Sequence, residues 1–217
     1  MKYAMVFILL FVAANAVAQT GQSNKKKHPV GFGIKAGYNY TSVTNISSVN
    51  GSNRSGFHAG ILYSPGTRDE ANLTGSGELL FSRQGYSFKT SATTGKVNLD
   101  YLLLPTFTNF KFGDFFKLQL GLQAAYLLNA KADSSKPATS SNTYNKMVEY
   151  YNRFEFGISG GLELNPAAGF IIGVRYTIGL TNMNKQTPPG AIPPFLPGLS
   201  NINFRNNIVQ LYTGYKF

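Results

Sequence analysis

Three glutamates and five basic residues stand at alternate positions within segments that otherwise carry many aromatic and aliphatic side chains. They are Glu78, Glu155, Glu163, Lys35, Lys117, Arg153, Arg175 and Lys216. An unpaired buried charge is costly, so charges on one face of a folded sheet are expected to neutralise one another. We therefore predict a polar network built from these side chains. Basic residues outnumber acidic ones in this network. If the network is partly open, we therefore expect it to bind a small anion.

The same segments contain a single histidine that could take part in catalysis. His58 shares the face of the charged residues, and Ser55 and Ser64 stand near the two ends of its segment. A Ser-His site also needs an acidic residue that orients the imidazole, and no Asp or Glu lies near His58 in the sequence. We assign no catalytic residue and interpret His58 as a hydrogen-bonding member of the polar network. Two histidines in the chain, without neighbouring carboxylates, form no recognisable metal site, and no cofactor is expected.

The elements that must position these residues alternate apolar and polar side chains with a period of two, which indicates β-strands. Eight such segments follow one another, at residues 31–40, 56–64, 77–88, 97–112, 116–131, 153–164, 170–182 and 208–217. The fourth carries apolar residues on both faces. Its Pro105 removes a hydrogen bond from the ladder, so a local bulge is predicted there.

The connections between the segments alternate in length. Those after the second, fourth and sixth segments are compact turns, whereas those after the first, third, fifth and seventh are longer polar loops. An even number of antiparallel strands with this arrangement is typical of outer-membrane barrels. The predicted fold class is therefore all-β: a transmembrane, eight-stranded, antiparallel up-and-down β-barrel at residues 31–217.

Two kinds of barrel fit this pattern and differ in the face that points outward. A soluble calyx of the lipocalin type would turn its apolar face inward, whereas a membrane barrel turns that face toward lipid. An eight-stranded barrel has room inside only for side chains or one small ligand. Gly, Ser and paired charges fit that space better than the many large Phe, Tyr, Leu and Ile side chains. We favour the membrane barrel, with aromatic residues near the membrane interfaces.

The first residues have the composition of a secretory signal. Lys2 precedes an apolar stretch at 4–14, and Ala16 and Ala18 supply the small residues of a cleavage site. We expect a cleaved signal peptide at 1–18 and a short periplasmic leader at 19–30; an N-terminal membrane anchor is the alternative.

The composition also narrows the classes of partner. Charged residues make up 13% of the chain, against about 25% in soluble domains. There is no cysteine, so disulfides and thiolate metal sites are excluded. The net charge of +11 comes from scattered basic residues, apart from one run at 25–27. We expect no nucleic-acid partner for an exported chain of this kind.

Two further segments suggest contacts with other proteins. The stretch at 187–198 is stiff and could present an aromatic ring to an envelope protein, or fold over the barrel as a lid. Its candidate residues are Pro188, Pro189, Pro193, Pro194, Phe195 and Pro197. The last segment resembles the C-terminal signal recognised by the barrel assembly machinery. The residues that carry this resemblance are Val209, Leu211, Tyr215 and Phe217.

Several segments together resemble the PorT-like outer-membrane β-barrel family, which is common in Bacteroidota. They are "GIKAGYNYT" at 33–41, "GELLFSRQGYSF" at 77–88, "YLLLPTFTNFKF" at 101–112, "LQLGLQAAYLLNAKAD" at 118–133 and the aromatic C-terminal end. The resemblance implies an eight-stranded barrel in the outer membrane. The member that names the family is linked to a protein-secretion system, so an accessory role in secretion is one function that the resemblance implies.

The sequence thus predicts a small integral outer-membrane barrel, not an enzyme, with a polar and largely plugged lumen. Its predicted role is structural, or binding through outer loops. The alternatives are an accessory role in secretion and a narrow channel for small anionic solutes. The expected partners are outer-membrane lipid, the barrel assembly machinery during biogenesis, and an envelope protein.

Overall fold

A computed structural model describes residues 31–44, 50–64, 72–89, 94–134, 147–185 and 204–217. Within these ranges the strands are β1 (Gly31–Val43), β2 (Asn50–Ser52), β3 (Arg54–Ser64), β4 (Leu73–Lys89), β5 (Thr94–Phe112), β6 (Phe116–Ser134), β7 (Phe154–Ala167), β8 (Phe170–Gly179) and β9 (Asn206–Lys216). A short 3-10 helix spans Met147–Tyr150. The expectations for the signal peptide, the leader and the proline-rich stretch fall outside the described residues. No helix in the described part of the chain is long and apolar enough to cross a membrane.

Eight strands close into one antiparallel barrel. The hydrogen-bonded order is β3-β1-β9-β8-β7-β6-β5, and β4 completes the ring by pairing with both β3 and β5. The first and last strands meet along their length, from Gly33 opposite Lys216 to Val43 opposite Asn206. The three-residue β2 adds to one end of β4. The predicted fold class is confirmed, since each of the eight alternating segments forms one strand of the barrel.

The outer surface of the barrel is apolar. Ile34, Tyr38 and Leu211 are each more than half exposed, at 55%, 63% and 59%. The residues between them in the alternation, such as Lys35 and Asn39, are buried. This orientation is that of a barrel surrounded by lipid, and it is opposite to the orientation of a soluble calyx.

Three adjacent strands are much longer than the others. β4, β5 and β6 have 17, 19 and 19 residues, whereas β3, β8 and β9 have 11, 10 and 11. On the outward face of β5, Leu102 is the last apolar residue before the loop end. Closer to that end, the alternation places Asp100, Asn98 and Lys96 on this face. The ends of these strands, at 83–89, 94–100 and 129–134, therefore stand beyond the lipid-facing band. We call them the outer extension.

The bulge expected at Pro105 lies elsewhere, so that prediction is wrong in its position. The β4–β5 ladder skips Pro105 without a change of register, with Gly77 opposite Thr106 and Leu80 opposite Leu103. A proline lacks one donor but otherwise fits an extended strand, so the interruption stays local. The register shift occurs instead between Asp100 and Tyr101, opposite β6.

The shift changes which residues of β6 point inward. Tyr101 pairs with Leu127 and Asp100 pairs with Asn129, so Leu128 has no partner across the ladder. Leu127 and Ala130, three residues apart, are consequently both buried. The bulge thus directs apolar side chains into the outer end of the barrel.

Candidate functional site

Glu78 of β4 is the centre of the interior charge network. Its Oε1 accepts from Lys35 Nζ of β1 at 2.6 Å, and its two oxygens accept from Arg175 Nη1 and Nη2 of β8, each at 2.9 Å. Side-chain exposure is 3% or less for all three residues. β4 and β8 lie four strands apart in either direction around the ring. The pair therefore crosses the barrel from one wall to the opposite wall.

Aromatic rings cover the two cations of this network. The Arg175 guanidinium carbon lies 3.9 Å from the centroid of the Phe107 ring, and Lys35 Nζ lies 3.6 Å from that of Tyr212. Cation–π contacts of this kind are strongest where water is excluded. The rings thus stabilise the positive charges on the side that Glu78 does not occupy.

Glu163 of β7 forms a second charge cluster near the short-turn end. Lys117 Nζ and Lys216 Nζ each lie 3.3 Å from its Oε1. Gln119 joins the two clusters, because its Nε2 donates to Glu163 Oε2 at 3.3 Å while its Oε1 accepts from Arg175 Nη2 at 3.2 Å. The two lysines keep 15% and 25% of their side-chain surface exposed, so water reaches this cluster more than it reaches Glu78.

His58 of β3 lies in the interior, next to amides. It is 1% exposed, and its Nδ1 lies 2.8 Å from Asn39 Oδ1. Asn39 also donates to Ser82 Oγ at 2.8 Å and accepts from Gln210 Nε2 at 3.1 Å. The hydrogen-bond partner of the imidazole is thus a neutral amide. In the described ranges, no three His, Cys, Asp or Glu residues gather as a metal site would require.

Arg153 does not join the network, so the prediction for this residue is wrong. Its side chain is exposed, and the guanidinium carbon lies 5.9 Å from the ring centroid of Tyr126 on the outer wall. The reason is that β7 begins only at Phe154. Arg153 precedes the strand, where the period-two alternation no longer sets the direction of a side chain.

Glu155 of β7 is buried but separate from both clusters. Its Oε1 accepts a short hydrogen bond from the hydroxyl of Tyr101 on β5. Within the described residues, no Lys, Arg or His lies within ion-pair distance of it; the interior ion pairs join Glu78 and Glu163 to their lysines and arginine. The three predicted carboxylates thus share the interior but have different surroundings.

An apolar cluster of buried residues lies at the loop end of the barrel, and sequence reasoning did not predict it. Its members come from the long strands and from the chain beyond them: Leu80, Tyr86, Phe88, Val97, Leu99, Tyr101, Leu103, Ala125, Leu127, Ala130, Tyr150, Tyr151, Met183 and Phe204. We call this cluster the outer cap. The signal for it in the sequence was the apolar character of both faces of the fourth segment.

One hydrogen bond lies inside the outer cap. The hydroxyls of Tyr86 and Tyr151 lie 2.8 Å apart, and the ring of Phe204 meets that of Tyr86 edge-on at 5.4 Å. Tyr151 stands outside the long strands, and burial raises the pKa of its hydroxyl well above the usual value. Tyr151 is therefore held as a neutral phenol within apolar surroundings.

The four residues considered as an assembly signal lie on the outer face of β9. Leu211, Tyr215 and Phe217 are exposed, at 59%, 45% and 78%, and Val209 is half-buried. The backbone N–H of Phe217 donates to Phe32 O at 2.8 Å. The aromatic ring of Phe217 therefore faces the surroundings of the barrel, while its backbone continues the ladder to β1.

Comparison with known proteins gives one family match and several structural likenesses. A family model described as outer membrane protein beta-barrel domain matches residues 17–185. No match was found among curated proteins.

Three solved structures are similar to this chain at low identity. Ail, the attachment invasion locus protein of Yersinia pestis, is 14% identical, with 87% of this chain and 99% of that chain covered and a TM-score of 0.47. Neisserial surface protein A is 14% identical, with 89% of this chain and 100% of that chain covered and a TM-score of 0.46. The outer membrane protein OprG of Pseudomonas aeruginosa is 12% identical, with 90% of this chain and 99% of that chain covered and a TM-score of 0.45.

Proposed function

We propose that this chain, which belongs to the outer membrane protein β-barrel domain family, has a closed interior and acts through a binding surface at its loop end. The protein is a small barrel of the outer membrane. Its function, on this proposal, is to hold a rigid surface outside the lipid where an envelope partner can reach it. The barrel itself serves as the anchor.

The Glu78–Arg175 ion pair is the observation that carries the closed interior. It crosses between opposite strands, and the guanidinium packs against Phe107 in the same cross-section. An eight-stranded barrel leaves space only for side chains or one small ligand. A solute moving through the lumen would have to break this buried pair, and removing one partner of a buried pair is strongly destabilising.

The outer cap supports the same proposal at the other end. Tyr151, Met183 and Phe204 are fully buried in the same cluster as Tyr86, and they come from outside the long strands. Because they fill the barrel above the charge network, a second, apolar layer lies in the way of ions. An anion channel is also disfavoured by charge, since Lys35 and Arg175 are both paired with Glu78.

The outer extension supports the binding role. Its strands continue for about six residues, or roughly 20 Å along the strand axis, beyond the lipid-facing band. Exposed basic side chains lie on its outer face at Arg83, Lys89, Lys96 and Lys131, and Arg83 pairs with Asp100 at 2.7 Å. The outer cap packs behind it and makes it stiff. A stiff, mainly basic surface suits an acidic or anionic partner in the envelope.

Conductance of the purified barrel in planar lipid bilayers tests the closed interior. We expect no stable single-channel steps from the native protein. The double variant Glu78→Ala with Arg175→Ala removes the ion pair but keeps the outer cap, so its conductance should also stay low if both layers close the lumen. Stable, anion-selective pores formed by the native protein would overturn the closed interior.

Affinity purification from native membranes tests the binding role. We expect an envelope protein to co-purify with the native chain, and to be lost when Arg83, Lys89, Lys96 and Lys131 are replaced by glutamate. Each replaced side chain points away from the interior, so the variant barrel should fold and migrate normally on gels. Partner recovery that is equal for both chains would contradict the surface proposed. Recovery of secretion-machinery subunits would identify the partner as a secretion complex.

A further inference from the structure

Glu155 differs from the other interior carboxylates in having no cationic partner among the described residues. Glu78 contacts Lys35 and Arg175, and Glu163 contacts Lys117 and Lys216. Glu155 is 8% exposed, and its hydrogen-bond partner is the neutral hydroxyl of Tyr101. A buried carboxylate needs a compensating charge or must give up its own. Either a proton or a positive group other than a described side chain must therefore balance Glu155.

A small cavity lies directly beside this carboxyl group. Its volume is ≈ 20 Å³, and its lining includes Glu155, Gln123, Tyr101, Thr177 and Asn206. A space of this size holds one occupant about as large as a water molecule. Its place in the fold is between the charge network and the outer cap, near Gly179, where β8 ends. The size excludes phosphate, sulfate and organic ligands.

An unpaired oxygen points to the charge of the occupant. Gln123 is 5% exposed, and its Oε1 has no hydrogen-bond partner although it is fully buried. Leaving a buried acceptor unpaired costs free energy, so such an atom normally has a partner in the native protein. The residues that line the cavity thus include one with an unpaired amide oxygen and one with a carboxylate, and both groups are acceptors.

Three polar neighbours of the cavity have side-chain groups that are already engaged in hydrogen bonds. The hydroxyl of Tyr101 donates to Glu155, and Asn206 Nδ2 donates to Gln84 Oε1 at 2.5 Å. The Thr177 hydroxyl is 2.7 Å from that of Ser159. An anion in the cavity would lie beside the Glu155 carboxylate, which would repel it. A positive occupant suits the cavity better.

We propose that the cavity binds one small monovalent cation of the Na⁺ class, held by the Glu155 carboxylate and Gln123 Oε1. Carboxylate and amide oxygens are hard ligands that suit hard cations. A single positive charge balances the single carboxylate. The bound cation joins β7, which carries Glu155, to β6, which carries Gln123, and through Tyr101 it also fixes β5.

The unfolding equilibrium of the barrel in urea, measured in detergent micelles at constant ionic strength, tests this site. Na⁺ is exchanged for tetramethylammonium, which is too large for the cavity. A ligand that binds only the folded state lowers the unfolding constant about tenfold for each tenfold rise in free ligand above the dissociation constant. We expect this dependence in the native protein and its loss in Glu155→Gln. Asp114→Asn changes an exposed carboxylate and should retain the dependence.

A second variant keeps the test informative if Glu155→Gln fails to fold. Gln123→Leu removes the amide oxygen but keeps nearly the same volume, so it should shift the Na⁺ dependence to higher concentration. A native protein whose stability is the same in Na⁺ and tetramethylammonium would overturn the proposal. Stability that depends on pH but not on Na⁺ would also overturn it, since a proton would then neutralise Glu155.

Discussion

Arg175 and Glu78 join opposite walls of the barrel through two hydrogen bonds of 2.9 Å, although their strands share no ladder. Around the wall of the barrel, β4 and β8 are separated by three strands in either direction. The pair is therefore a direct link across the interior, and Lys35 extends it to a third strand. The contribution of this ion pair to the free energy of unfolding can therefore be measured separately from that of the hydrogen bonds between neighbouring strands.

Replacing Glu78 with glutamine should destabilise the barrel by about 3–5 kcal/mol, because two buried cations lose their counter-charge. Glu163→Gln is the matched comparison. It should cost less, since Lys117 and Lys216 remain partly exposed to water. Urea unfolding followed by gel mobility measures both variants. Equal losses would mean that Glu78 is no better shielded than Glu163.

Gly173→Ala should destabilise the barrel by roughly 1–3 kcal/mol through overpacking. An added Cβ would meet the ring and hydroxyl of Tyr212 and would lie 2.7 Å from the backbone oxygen of Leu162. Tyr212 covers Lys35 and donates to Gln119 at 2.9 Å. Gly77→Ala is the control, because no atom lies within 4 Å of the Cβ position there. We expect its effect to stay within about 0.5 kcal/mol. A Gly173→Ala variant as stable as Gly77→Ala would show that the Tyr212 ring and the Leu162 backbone both adjust without cost.

Tyr151→Phe should lower stability at neutral pH by about 1 kcal/mol, the value of one buried hydrogen bond. Because the folded state raises the pKa of Tyr151 above the usual 10, the unfolded chain releases this proton first as pH rises. Stability from this group is therefore complete below pH 10 and falls above it by about 1.4 kcal/mol per pH unit.

Urea unfolding of the native protein and Tyr151→Phe on both sides of pH 10 measures that slope. The advantage of the native protein should shrink above pH 10, because phenylalanine has no proton to lose. A difference that stays constant across this range would mean that water reaches the Tyr151 hydroxyl.

Phe217→Ala should reduce the yield of assembled barrel in cells more than Phe217→Tyr does. Both variants keep the backbone hydrogen bond to Phe32, and only the first loses the exposed ring. The expected loss follows if the assembly machinery reads this aromatic side chain. Heat-modifiable gel mobility of membrane fractions measures the yield. Equal yields for the two variants would remove the ring from the assembly signal.

The sequence predicts the faces of the barrel better than the contacts within it. Lys35, Glu78 and Arg175 were placed on the interior face because period-two alternation depends only on local order. Which cation meets which carboxylate depends on the stagger of the strands around the ring, which no single segment contains. The pairing of Arg175 with Glu78 was therefore not predictable from spacing.

At the outer end of the barrel, the period-two pattern does not predict which side chains point inward. Leu128 has no partner across the ladder because of a bulge that carries no proline or glycine signal, and that bulge decides the direction of Ala130. Met183 and Phe204 lie outside regular strands, where alternation has no meaning. They are buried in one cluster with Tyr86, which is more than 90 residues away in sequence.

The link between Arg175 and Glu78 also constrains the order of events during folding. The two residues are 97 positions apart, and they can meet only when most of the barrel wall has formed between them. Until then, each charge must keep its shell of water, because stripping that shell without a partner is prohibitively costly. The interior therefore loses its water only when the ring of strands closes, and in a partly formed barrel these charged groups remain hydrated.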